Sequence, residues 1–450
     1  MNLPEKFSAN LKNILGDTYG EFEKALGTDS PVSVRLNPAK PFKPSFPLGD
    51  AVPWASQGFY LENRPVFTLD PAFHAGAYYV QEASSMVIEH ILKNHAPATR
   101  PLKVLDLCAA PGGKTTHLAS LLSEDDLLVA NEVIKSRVGI LKENLLKWGF
   151  PNVIIVNQDP ETFADLEGFF DIVLTDAPCS GEGMFRKTPE AVNEWSEENV
   201  LMCAARQKRI LSAAAMLVAP GGLLIYSTCT YNATENQENA QWLTRTLDFE
   251  PVEIHTPEEW GVTNAHPGLQ FFPHKTRGEG FYVAAFRNKS RDERYVKGKP
   301  NIPRLPRKQA ELLSRWIRPG VYESFEYFLK NDGGIVAIKQ SLLNETGSVL
   351  RALQKRSSGL EIGHFKGNDF IPSHALALSG IVSGSVQHVD LPERDALLYL
   401  KKEPFALPEH SNGWTLITYQ NLGLGWAKII GDRVNNYLPT EWRIRMKLEE

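Results

Sequence analysis

From Leu102 onward the chain alternates short apolar runs with segments whose apolar residues recur at helical spacing. The runs KVLDL, LLVANE, VIIVNQD, DIVLTD and GLLIYSTC read as strands. Between them Leu118, Leu121 and Leu122 share one helical face, as do Val138, Leu141, Leu145 and Trp148. A further helix is predicted from Glu194 to Val218, and EGFYVAAFRN closes the series as a strand near residue 286. Continuous apolar strands alternating with helices imply an α/β domain, residues 96–288, whose parallel sheet is covered on both faces.

The flanks follow other rhythms. Residues 1–95 form an N-terminal element, with one helix from Lys6 to Leu26 and a short strand in PVSVRLNP. YYVQEASSMVIEHILKN then reads as a strand running into an amphipathic helix. Residues 289–308 are basic and rich in proline, as expected of a linker, whether solvated or in contact with a polyanion. Residues 309–380 mix helices and short strands. Residues 381–450 read as a small β-rich module, with HVDLP, LLYLKK, GWTLITYQ and GLGWAKIIGDRVNNYLP.

Length changes this picture little: 450 residues fit two or three domains. No apolar run is long enough to span a bilayer, and MNLPEKFSANL has no apolar signal region. A cytoplasmic, monomeric protein is therefore the expectation. The net charge of −5 gives no support to a nucleic-acid partner, although it averages over domains and leaves local basic stretches free to bind phosphate.

Candidate chemistry begins at DLCAAPGGKTTHLASLL, where a strand turns into a helix through Gly112 and Gly113. Paired glycines let backbone approach a ligand closely at the carboxyl edge of a sheet. The spacing is neither that of a Walker phosphate loop nor that of a dinucleotide fingerprint. Four successive strands end on a carboxylate: Asp106, Glu132, Asp159 and Asp176. Singly, each acid is equally a turn or a helix cap. Together they make an acidic rim suited to a cationic nucleoside, with Glu132 placed for ribose hydroxyls and Asp159 for an adenine amine. A triphosphate would be repelled.

The four cysteines are Cys108, Cys179, Cys203 and Cys229, and no two are spaced as in a zinc site, so no metal is expected. Cys203 sits on a helix without motif context and reads as packing. Cys108 lies inside the glycine turn and is expected to offer backbone. Cys179 follows the fourth strand in DAPCSG, and Cys229 follows the fifth in STCT. They are either buried strand-end thiols or two thiols facing one crevice. Carbon 5 of cytosine is a poor nucleophile, and a thiolate adding to carbon 6 makes it enamine-like. A second thiol can then assist release. Only a few per cent of an ordinary thiol is ionised at neutral pH, so such a site must activate its nucleophile.

In this order DLCAAPGGKT, NEV, NQD, DAPCSGEG and STCT resemble the RNA cytosine-5 methyltransferases of the Nol/Nop/Sun family. SVRLNP, YYVQEASSM and GEGFYVAAF extend the resemblance to roughly residues 5–290. GEGMFRK, FIPSHALAL and GLGWAKIIGDRVNNYLP are similar to its bacterial small-subunit ribosomal RNA methyltransferase F group. The resemblance implies a Rossmann-like class I methyltransferase sheet with one reversed strand, an N-terminal RNA-binding element and a C-terminal PUA-like module. It implies S-adenosyl-L-methionine as cofactor, held by Cys108, Ala109, Ala110, Pro111, Gly112, Gly113, Lys114, Glu132, Asp159 and Asp176. Arg137 is a further candidate, or a plain surface arginine. It implies Cys229 as nucleophile and Cys179 as the residue of release. The implied substrate is RNA: small-subunit ribosomal RNA, free or assembled, with transfer RNA as the alternative. A non-catalytic ribosome-assembly factor is a third reading, and intact Cys179, Cys229, Gly112, Gly113 and Glu132 argue against it. Pro160 departs from the small residues common at its position. Trp54, Tyr60, Phe185 and Trp426 are candidates for stacking on RNA bases, or else core residues.

Overall fold

The computed structural model describes residues 3–98, 101–290, 298, 302–355, 358–407 and 411–448. Half of the basic linker at 289–308 therefore lies outside the described residues, while Leu305 is buried and hydrogen-bonds Tyr327 in the following sheet.

Three short strands come first: β1 (Val32–Leu36), β2 (Gly58–Leu61) and β3 (Tyr78–Val80), in the order β2-β1-β3. The central sheet then takes up β4 (Lys103–Asp106), β5 (Leu127–Asn131), β6 (Val153–Val156), β7 (Phe170–Asp176) and β8 (Val218–Thr228). These five run parallel in the order β6-β5-β4-β7-β8. The chain leaves β4 toward one edge through β5 and β6, then returns to place β7 on the other side of β4. That reversal of strand order opens a crevice at the carboxyl ends of β4 and β7.

Short strands β9 (Phe249–Pro251), β10 (Thr263–Ala265) and β11 (Gly268–Phe271) precede β12 (Phe281–Asn288). β12 pairs antiparallel with β8, as the single reversed strand requires. The sheet continues beyond it through β11 and β10, so a second strand, β10, is also reversed. Neither the β10–β11 hairpin nor β9 stood out in the sequence, because three- and four-residue strands carry almost no periodicity.

Alternation along the strands separates two cores. Leu105, Val129, Val173 and Leu224 pack under the helix Glu197–Leu217, whereas Val104, Leu128, Ile172 and Ile225 pack under Ile88, Ile91 and Leu118. The first strands share a third core with the C-terminal sheet, through Val34 and Tyr78 against Ile417 and Leu424. That sheet comprises His388–Asp390, Gly413–Tyr419, Leu422–Ile430 and Arg433–Asn436. An antiparallel meander of Phe325–Leu329, Gly334–Lys339, Leu360–Lys366 and Asp369–Pro372 lies between.

Some expectations are corrected. The predicted helix from Lys6 to Leu26 is two helices, Glu5–Leu15 and Tyr19–Leu26, interrupted at Gly16 with its φ of 54°. LLYLKK belongs to the helix Glu393–Lys401, which buries Ala396, Leu397, Tyr399 and Leu400. The four candidate stacking aromatics are core residues. Trp54 packs on Phe271 and donates to the Ala83 carbonyl, and Phe185 packs on Phe7. Trp426 packs on Trp316 and donates to the Ser373 carbonyl, while Tyr60 is 3% exposed beneath Arg277. Apolar rings with satisfied polar tips are worth more buried than on a wet surface.

Candidate active site

The glycine turn follows β4 and opens the helix Gly113–Leu121. Gly112 has a φ of 114°, left-handed backbone that a side chain would strain. Three donors hold the turn by its carbonyls. Arg137 Nη2 donates to Ala110 at 2.6 Å, and Asn144 Nδ2 to Pro111 at 2.8 Å. Arg35, from the SVRLNP strand, donates from Nη2 to Gly113 O at 3.2 Å and to Thr116 Oγ1 at 2.6 Å. Arg35 is fully buried over Trp148, and burial pushes its guanidinium down to about 9, against the pull of Tyr79 and Glu89. Its role escaped the sequence reading, since 81 residues separate it from Thr116.

The acids divide. Asp106 is buried at the end of β4 and accepts from Thr115 at 2.6 Å. Its Oδ1 has no partner of hydrogen-bond geometry among the described residues, and burial pushes the carboxyl up to about 7. Glu132 follows β5, accepts from the Ile134 amide at 2.8 Å and lies 3.4 Å from Arg137. Arg137 thus joins the turn to Glu132 and is no plain surface arginine. Asp176 ends β7 and accepts Lys114 on one oxygen at 2.8 Å and Ser227 on the other at 2.7 Å. Asp159 stands apart: β6 ends at Val156, and Asp159 caps the turn Pro160–Leu166 while pairing with Arg209 at 3.4 Å. Pro160 fits there, because the first residue of such a turn needs no donor.

The two motif cysteines meet. β7 and β8 are parallel neighbours with Asp176 level with Ser227, so the loops beyond them project together. Cys179 Sγ lies 2.9 Å from Cys229 Sγ, both as free thiols, and the Cys229 amide donates to Cys179 Sγ at 3.3 Å. Cys179 is pushed well above the usual thiol range by its hydrogen bond to Cys229, by burial, and by the charges of Cys229 and Glu235. Lys114 is held charged against its own burial by Asp176, with Cys229 and Asp106 adding to the pull. The ammonium therefore lies between the acidic turn and the thiols. Cys108 is half-buried among Asp106, Asp176 and Glu132, and loss of solvent first and their charges second push its thiol far up. Cys203 is 4% exposed and packs within its helix.

Sequence reading missed the carboxylates that shape the thiol loops. Glu182 Oε2 accepts from Thr230 Oγ1 at 2.6 Å, Tyr231 N at 2.9 Å and Asn232 N at 3.0 Å. Its Oε1 accepts from Trp195 at 2.9 Å. Glu235 accepts from the Ser180 amide at 3.0 Å, Gln207 at 2.7 Å and Asn232 Nδ2 at 2.8 Å. A Cβ on Gly183 would collide with the carbonyl oxygens of Gly280 and Cys229. The repeated GEG in GEGMFR and GEGFYV was the available signal, for Arg186 of the first pairs with Glu279 of the second at 3.1 Å.

A central sheet of this strand order, with a glycine turn after β4 and ligand-side acids at its edge, defines a Rossmann-like methyltransferase. The family described as 16S rRNA methyltransferase RsmB/F matches residues 88–287. The N-terminal domain of 16S rRNA methyltransferase RsmF matches residues 3–83, and the methyltransferase RsmF PUA domain matches 386–444. Ribosomal RNA small subunit methyltransferase F of Serratia proteamaculans is 32% identical over 411 residues, covering 87% of this chain and 84% of that one. Its counterpart in Pectobacterium atrosepticum is 30% identical over 470 residues, covering 98% and 96%. A methyltransferase homolog protein from Pyrococcus horikoshii superposes with a TM-score of 0.55 at 28% identity, over 63% of this chain and 95% of that one. NSun6 from Pyrococcus horikoshii, solved with SFG, shares the fold at a TM-score of 0.55 and 21% identity, over 64% and 98%. The chain belongs to the ribosomal RNA small subunit methyltransferase F family.

Proposed function

We propose that this enzyme transfers a methyl group from S-adenosylmethionine to carbon 5 of a cytosine in 16S ribosomal RNA, with Cys229 as nucleophile and Cys179 serving release. The observation that carries the reading is the 2.9 Å approach of two free thiols beyond neighbouring parallel strands. The residues of the turn fit the cofactor. Asp106 Oδ1 is a buried acceptor without a hydrogen-bond partner among the described residues, and the carbonyls of the turn are taken by Arg35, Arg137 and Asn144, which directs its amide side toward a ligand. Cys108 through Lys114, Glu132, Arg137, Asp159 and Asp176 would hold it. When bound, it supplies an electrophilic methyl group on a cationic sulfur.

The chain's own residues do the rest. Cys229 Sγ bonds to carbon 6, and the electron pair of the 5,6 double bond makes carbon 5 nucleophilic. After carbon 5 has gained the methyl group, its proton passes to water. The electron pair left behind restores the double bond and expels the Cys229 sulfur. Cys179, in contact with that sulfur, is placed to serve this second stage. Lys114, paired with Asp176, supplies positive charge beside Cys229. The target base must leave its stack, at a cost of a few kcal/mol where it is paired, which favours an unpaired cytosine. The C-terminal sheet would grip flanking RNA.

Labelled cofactor and 16S RNA test the assignment. Cys229→Ala abolishes transfer, and Cys179→Ala leaves a denaturant-stable protein–RNA adduct. Undiminished methylation by the Cys229→Ala protein would overturn the choice of nucleophile. Bisulfite sequencing of RNA from cells with and without the gene reads the substrate, and a signal lost from transfer RNA alone would overturn the ribosomal assignment.

A further inference from the structure

Cys179 is held on both sides by one buried pair. Gln207, on the inner face of the helix Glu197–Leu217, donates through Nε2 to the Pro178 carbonyl at 3.0 Å and to Glu235 at 2.7 Å. The same Glu235 oxygen accepts the Ser180 amide at 3.0 Å. The peptide units before and after Cys179 are thereby tied to one carboxylate. The pair is itself braced: Gln207 Oε1 accepts from Tyr226 at 3.0 Å and Asn239 at 2.8 Å, and Tyr226 also donates to the Glu235 carbonyl at 2.6 Å. Glu235 and Gln207 are fully buried. Neither touches the reacting sulfur of Cys229, and a carboxylate kept out of water acts strongly on a neighbouring thiol.

We propose that Glu235, clamped by Gln207, is the positioning residue for Cys179: it fixes that thiol against Cys229 and sets its negative charge on the Cys179 side of the pair. The inference rests on Cys229 being the nucleophile. Two adjacent thiols of one chemistry need something to make them unlike, and the nearest asymmetry is charge. Glu235 lies on the Cys179 side, and Lys114 acts on Cys229. The negative charge of Glu235 is among the causes that push Cys179 up, after its bond to Cys229, its burial and the charge of Cys229.

The test needs no RNA, so it fails separately from the methylation reading. Thiols of the full chain are alkylated with iodoacetamide across pH 6–10, and each site is followed by mass spectrometry. In the natural protein Cys229 alkylates ahead of Cys179. In Glu235→Gln, which keeps an acceptor for the Ser180 amide, the Cys179 profile moves down by about one pH unit, so its alkylation near pH 7.5 speeds about tenfold. The Cys229→Ala protein supplies a second measurement that does not depend on how Glu235→Gln folds. With Glu235 present and the partner thiol gone, Cys179 still titrates above an ordinary cysteine. An unmoved Cys179 profile in Glu235→Gln, or an ordinary profile in Cys229→Ala, overturns the proposal.

Discussion

The glycine turn and the thiol loops sit side by side on one sheet edge, yet they are held by opposite ends of the peptide group. The turn is held by its carbonyls, which Arg35, Arg137 and Asn144 bind from outside. The thiol loops are held chiefly by their amides, which Glu182 and Glu235 bind from within, with the Pro178 carbonyl taken by Gln207. Taking up carbonyls leaves a loop's donors available, as a site for an acceptor-bearing ligand requires. Taking up amides with buried carboxylates surrounds the thiols with negative charge, so that ionising both would be costly. Lys114 crosses between the two halves and brings positive charge to the second.

The largest expected effect comes from breaking the anionic half. Glu182→Ala removes the acceptor of Trp195, Thr230, Tyr231 and Asn232 at once. Buried donors left without acceptors cost about 1–3 kcal/mol each before relaxation, so a net loss of about 3–5 kcal/mol is expected in urea unfolding. Methyl transfer should fall with it, because the loop carrying Cys229 loses its anchor. A loss below about 1 kcal/mol would mean that the carboxylate does not organise the loop.

Breaking the cationic half should act on ligand affinity first. Arg35→Ala is expected to weaken S-adenosylmethionine binding about tenfold in calorimetric titration, equal to about 1.4 kcal/mol. Arg35→Lys should not restore it, since one ammonium cannot reach Gln81, Gly113 and Thr116 together as the guanidinium fork does. An unchanged Kd in both variants would break the comparison, by showing that the carbonyl-side grip is dispensable.

The two halves also differed in how much could be read beforehand. The turn announced itself, because two glycines between an apolar strand and a helix fix a local geometry. The meeting of Cys179 and Cys229 was legible as one of two readings, and the parallel pairing of β7 with β8 decides for it. The buttresses were invisible. Glu182 reaches Thr230 across 48 residues, and Arg35 reaches Thr116 across 81. Side-chain reach in the folded state leaves no periodicity along the chain. Asp159 differs from the pattern in place alone: expected at a strand end, it lies beyond the strand and pairs with Arg209. The aromatics stayed open between core and RNA stacking because hydrophobic payload and stacking surface are the same chemical feature, and burial decides for the core.

The smallest expected effect on methyl transfer lies outside both halves, where buried cations again meet carbonyls. Lys40 donates to Ala75 O and Lys147 O beside the end of the helix Lys135–Trp148. Near it His374 packs edge-on against Trp442 at 4.6 Å, and neither ring nitrogen has a partner among the described residues. Burial, then the charges of Lys147 and Lys40, push His374 down to about 3. An unfolded histidine titrates near 6.5, so below that pH the unfolded chain binds a proton that the folded chain refuses. Stability is therefore complete above about 6.5 and is lost as pH falls from there toward 3. His374→Gln should lose about 1–2 kcal/mol less than the natural protein between pH 7 and pH 5 in urea unfolding. Its methyl transfer at pH 7.5 should be unchanged, because His374 touches neither the turn nor the thiols. If His374→Gln lost stability with acid as steeply as the natural protein, the acid sensitivity would belong elsewhere, with His117 next in line. That histidine is buried against Glu89, and burial first and the charge of Arg35 second push it down to about 4. Acid would then loosen the packing behind the glycine turn, and cofactor affinity would fall together with stability.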